Sequence, residues 1–156
     1  MERPGIRIGA LAAVIAAIVS LASCASLQRS QDEGDAKRIA NLINAGNAQS
    51  LAGMSASPFL VDQEIVVLPA DVSGFWQNAI AAGFRVDGAA LERAAPVTAA
   101  SYTEFAGTME VKSFFAQYLK DGARILELST GAGRRVLLLT RNAWFTLKIH
   151  GFKGPF

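Results

Sequence analysis

Residues 124–152 constrain the fold more than any other part of the chain. They divide into three apolar-rich runs: Arg124–Thr130, Arg134–Thr140 and Ala143–Phe152. Only Gly131-Ala132-Gly133 and Arg141-Asn142 separate them. A parallel crossover needs a dozen or more residues, so connections this short leave one arrangement, an antiparallel three-stranded meander. A sheet with an apolar face then needs something to cover it.

The preceding residues supply the cover. Ser30 followed by Glu33 has the spacing of a capping box, which predicts a helix starting there. Ala36, Ile39, Ala40 and Ile43 continue it at helical spacing, and Gly46 ends it. Asn47 caps a short second helix through Met54. Pro58–Val61 and Glu64–Leu68, around Asp62-Gln63, read as a small hairpin or two consecutive strands. Asp71 is the expected cap of a helix bearing Val72, Phe75, Trp76, Ala79 and Ile80, closed by Gly83. Residues 84–101 show no clear pattern beyond a strand expected at Pro96–Ala100. A further helix is predicted over Met109–Lys120, from Val111, Phe114, Phe115, Tyr118 and Leu119, with Asp121-Gly122 as its stop. The fold class is therefore α+β: N-terminal helices packed on a curved antiparallel sheet that ends in a three-stranded meander.

The first 24 residues follow different rules. Arg3 and Arg7 precede an apolar stretch, Ile8 to Val19, and Leu21-Ala22-Ser23-Cys24 follows. The stretch falls short of the roughly 20 residues of a membrane span, but it suits an export signal. Leu21-Ala22-Ser23-Cys24 resembles the lipobox of bacterial lipoproteins. That resemblance implies cleavage between Ser23 and Cys24 and a diacylglyceryl thioether on Cys24. It also implies an acylated new amino terminus and anchorage in the cell envelope, at the periplasmic face or the outer membrane. An uncleaved anchor helix and an ordinary export signal are the alternatives. The division is then a signal peptide at 1–23, a lipidated tether at 24–30 and a single domain at 31–156. Cys24 is the only cysteine, so no intrachain disulfide can form.

The order of elements over residues 31–152, with the Ser57–Glu64 stretch before a Phe75-Trp76 helix, resembles the nuclear transport factor two-like (cystatin-like) α+β fold. Enzymes of that fold place an Asp or His inside a cone. By implication Trp76, Phe115 and His150 are the candidate pocket residues. Strand alternation puts His150 with Trp144, Thr146 and Lys148. A solvent-facing histidine and aromatics that simply pack the core are the plainer readings of the same residues.

Formal net charge is +2, which supplies no phosphate-binding surplus and argues against nucleic acid. The distribution is uneven. From Arg124 onward six basic residues stand against Glu127 alone, whereas residues 24–123 carry seven basic and eleven acidic groups. Arg135, Arg141 and Lys148 are the candidate anion-facing surface, for an anionic envelope component or a protein partner; a solvated strand face is the alternative. One histidine, scattered carboxylates and a cysteine claimed by lipid offer no metal site and suggest no cofactor. There is no G-x-S-x-G, and no catalytic residue is assigned. The expectation is a lipid-anchored envelope protein with a non-catalytic binding or scaffolding domain. A small cone-fold enzyme (isomerase-, cyclase- or hydrolase-like) acting on an apolar ligand is one alternative, and a structural protein contacting the cell wall is another.

Overall fold

The computed structural model describes residues 9–119, 121–143 and 146–156, with side chains from Ser26 onward. Ser23 and Cys24 therefore appear as helical backbone only, and the expectations that involve Lys120, Trp144 and Phe145 lie outside the described residues. Among the described residues, no helix is long and apolar enough to cross a membrane.

Helix α1 spans Gly9–Asn44 without a break. Ser30 is thus an interior residue and not a cap, and residues 25–30, expected as a tether, are helical. Arg29 engages Glu33 at 3.1 Å, so the carboxylate serves an i,i+4 pair instead of reaching back to Ser30. Gly46, at φ +69°, turns the chain, and the Asn47 side chain accepts from the Ser50 amide to cap α2, Ala48–Met54. Strands β1 (Ser55–Val61) and β2 (Glu64–Val66) form the expected hairpin about Asp62-Gln63. Helix α3 spans Pro69–Ala81. Its cap is Leu68, because Pro69 presets the first helical φ; Asp71 sits in the first turn, where the helix dipole favours it.

Strand β3 covers Ala90–Pro96, earlier than the strand expected at Pro96–Ala100. Residues 98–100 lead instead into a 3-10 turn, Ser101–Glu104, pinned by the Ser101 hydroxyl on the Thr98 amide. Helix α4 is Met109–Tyr118, capped by Thr108. Strands β4 (Ala123–Ser129), β5 (Arg135–Ala143) and β6 (Thr146–Lys153) form the meander. Arg141 and Asn142 belong to its ladder, opposite Lys148 and Leu147, and so are not the turn between the strands.

The sheet order is β2-β1-β6-β5-β4-β3. All neighbours are antiparallel except β1 and β6, which run parallel, so the sheet is mixed. Both faces are covered. On one, Ala36, Ile39, Ala40 and Ile43 of α1 join Leu51, Val72 and Trp76 over Leu126, Leu138, Ile149 and Phe152. On the other, Val111, Phe114 and Phe115 of α4 pack with Phe105 over Leu60, Ile125, Leu137 and Leu139. This double burial explains the continuous Val136–Thr140 run, since a strand wet on one face would alternate.

Candidate functional site

The inner stripe of α1 is apolar from Ala36 to Ile43 but begins with a carboxylate. Asp32 lies four residues before Ala36 and seven before Ile39, on the same face, and is only 2% exposed. Its Oδ1 accepts from Gln28 Nε2 at 3.1 Å. Its Oδ2 stands 2.6 Å from Arg124 Nη2, at the start of β4. That ion pair is out of line for an N–H···O hydrogen bond. Asp32 Oδ2 and Arg124 Nε are both buried with no hydrogen-bond partner among the described residues. One turn along, Asp35 accepts from the Asn142 amide of β5. Burial pushes the Asp35 carboxyl above its ordinary value; the Asn142 bond opposes the shift and the nearby Asp32 charge adds to it.

These residues border a half-open cleft of about 480 Å³ between α1 and one end of the sheet. It is lined by Gln28, Gln31, Asp32, Gly122, Arg124, Thr140 and Asn142. A second depression of about 310 Å³ shares Gln28, Asp32 and Arg124 and extends toward Leu91 and Ala94 of β3. The lining is amide, hydroxyl and one internally compensated ion pair. It can form directed hydrogen bonds in both senses.

The pocket expected from Trp76, Phe115 and His150 is not assembled. Trp76 is fully buried on the α1–α3 face, where its Nε1 donates to Ser55 Oγ at 2.9 Å and its ring packs on Phe75 and Phe152 at 4.9 and 5.7 Å. Phe115 lies on the opposite face, against Phe105 and Phe114. Both aromatics pack, as the plainer reading has it. His150 is the extra residue of a bulge: Ile149 pairs with Thr140 and Gly151 with Leu139. Its Nδ1 is buried with no hydrogen-bond partner among the described residues. Burial, then the charges of Arg141 and Lys148, push the imidazole down from 6.5 to about 4.

The expected anion-facing residues separate into two places. Arg141 and Lys148 are directly paired across β5 and β6. They donate to the carbonyls of Asp121 and Gly53 at 3.4 and 2.9 Å, and no ion pair forms at either among the described residues. Arg135 sits six residues up the strand, about 20 Å away. It is engaged by Glu127 at 3.1 Å and lies over the Phe156 ring. Glu127 also holds Arg93, whose hydrogen bond is the main cause of a lowered Glu127 pKa.

Sequence reasoning missed the cleft because a helix beginning at the Ser30–Glu33 box puts Asp32 and Asp35 in or beside its first turn, where the dipole alone accounts for carboxylates. The available signal was the spacing of Asp32 to Ala36 and Ile39, which puts a charge on the core stripe.

No family model matches the chain, and no curated protein matches it. Among solved structures it is similar to a DUF4783 family protein from Bacteroides ovatus. The TM-score is 0.43 and the identity 12%, over 74% of this chain and 88% of that one.

Proposed function

We propose that this protein is a lipid-anchored component of a bacterial envelope, and that its single α+β domain, in the manner of a nuclear transport factor two-like scaffold, binds a ligand without transforming it. One observation supports the binding reading: a cleft of about 480 Å³ is lined by the carboxamides of Gln28, Gln31 and Asn142, the Thr140 hydroxyl and the Asp32–Arg124 ion pair, groups that form directed hydrogen bonds. The cone-enzyme alternative loses support, because its residues Trp76 and Phe115 lie on opposite faces of the sheet. The anchor reading rests on Arg3, Arg7, the apolar stretch and Leu21-Ala22-Ser23-Cys24. Two or three acyl chains make a stable anchor, at about 0.8 kcal/mol per buried CH₂. α1 would then hold the cleft close to the bilayer, since Gln28 is one helical turn beyond Cys24, roughly 6 Å of rise.

The test is intact-mass analysis of the full chain expressed in a bacterium. A mature chain starting at a diacylglyceryl-modified Cys24 and partitioning into detergent is expected. Cys24→Ser should retain the leader and lose the lipid mass. An unmodified Cys24 in the mature wild-type chain would sink the anchor reading.

A further inference from the structure

Arg141 and Lys148 stand directly opposite each other on β5 and β6. Like charges in that position repel, so the pairing is unfavourable by itself. Neither cation is neutralised: no carboxylate, that of Asp121 included, forms an ion pair with either among the described residues. After burial, their charges are the cause of the lowered His150 pKa, the effect expected of uncompensated cations. Lys148 has a local use, because its Nζ donates to the Gly53 carbonyl in the last turn of α2, where a cation is favoured. Arg141 has only a 3.4 Å bond to the Asp121 carbonyl. Arg135, at the other end of β5, is held by Glu127.

The two cations flank the end of a hairpin. Ala143 of β5 pairs with Thr146 of β6, and the residues between them in the sequence are Trp144 and Phe145. Aromatic residues beside basic ones are the composition of segments at a membrane–water boundary, where rings favour the headgroup level and cations meet anionic lipid. The position agrees. Asn142, next to Ala143, holds Asp35 of α1, whereas Asn44 at the other end of α1 is held by Val86. The early turns of α1 therefore lie at the hairpin's end of the sheet. Cys24 precedes Asp35 by 11 residues on the same helix, roughly 16 Å of rise. We infer that this end of the β5–β6 hairpin is a membrane-contacting surface, with Arg141 and Lys148 on anionic phospholipid headgroups as a second attachment beside the Cys24 acyl chains. The inference takes its orientation from the anchor reading.

The experiment uses the full chain, processed in a bacterium and reconstituted into vesicles of phosphatidylcholine, alone or mixed with phosphatidylglycerol. Flotation with the vesicles reports the anchor. Quenching of tryptophan emission by phospholipids brominated high in the acyl chain reports the contact. Trp76 is fully buried in the core, so Trp144 supplies the quenchable signal, and Trp144→Phe should remove it. Quenching is expected in the mixed vesicles, well above that in phosphatidylcholine alone, and should fall as salt is raised. Arg141→Gln and Lys148→Gln should each lower the docked-to-free ratio about fivefold with flotation unchanged, and Arg135→Gln should alter neither. Chains that float without quenching, that are quenched equally in both kinds of vesicle, or that are indifferent to both substitutions would overturn the contact surface and leave the anchor standing. Chains that do not float and carry an unmodified Cys24 would overturn the anchor reading, and with it the inferred orientation.

Discussion

His150 shows how one residue can look functional in a sequence and take a different role in the fold. It is the lone imidazole, yet it occupies a strand bulge and borders neither part of the Asp32–Arg124 cleft. Its pKa falls from 6.5 to about 4 because burial and the cations Arg141 and Lys148 disfavour its charged form. Between those values the unfolded chain binds more protons than the native one, so stability rises with pH across about 4 to 6.5 and is lost as pH falls through that window. The imidazole is partly exposed, and after allowance for solvent screening the effect is on the order of 1 kcal/mol. Urea titrations from pH 4 to 7 should show this slope in the wild type and a flatter profile in His150→Gln. Equal slopes would exclude His150 as the source. The imidazole was legible in the sequence; its surroundings were not, because they come from paired strands and from β1.

Among the elements, strand β6 carries the most stringent local requirement. It pairs with β5 antiparallel on one side and with β1 parallel on the other. At Gly151 the neighbours close in: an added Cβ would lie 3.0 Å from the Leu60 carbonyl oxygen, 3.1 Å from Leu60 Cβ and 3.4 Å from Leu139 Cβ. These are backbone or stiffly held atoms in the middle of a sheet. Gly151→Ala should therefore destabilise the protein by about 1–3 kcal/mol. Gly34 is the contrast. It lies inside α1 with nothing within 4 Å of an added Cβ, and Gly34→Ala should stabilise by about 0.5–1 kcal/mol. Thermal denaturation of both variants checks the pair; a loss at Gly34 or no loss at Gly151 would contradict the packing. Most element positions were readable locally: the Asn47 cap, the Gly46 and Gly83 turns, α4 and the three final strands all follow from short-range chemistry. The start of α1 was not, since the favourable box at Ser30 lies within a longer helix.

For the whole molecule, the ties of α1 to the sheet set the orientation. Asp32–Arg124 and Asp35–Asn142 join its early turns to the sheet end where β4 starts and β5 finishes. Asn44, at its other end, accepts from the Val86 amide. Arg141 and Lys148 therefore share the end nearer Cys24, whereas Arg135 lies at the opposite end of β5. If that end meets an anionic bilayer, the chain from residue 26 onward should bind anionic vesicles. Arg141→Gln and Lys148→Gln should each weaken binding by about 1 kcal/mol, and Arg135→Gln should not. Raised salt should abolish the interaction. Vesicle sedimentation measures this, and equal affinity for neutral vesicles would count against it.

The sequence by itself determined the local chemistry: an apolar stretch before Leu21-Ala22-Ser23-Cys24, helices ahead of the final strands, and a terminal meander forced by short connections. These follow from interactions among residues close in sequence. The tertiary structure decided what depends on distant ones: the parallel β1–β6 pairing, the burial of both sheet faces and the separation of Trp76 from Phe115. It also decided that Asp32 meets Arg124, 92 residues away, in a cleft. No periodicity records such a meeting, because pairing across a fold is set by which faces the packed elements bring together.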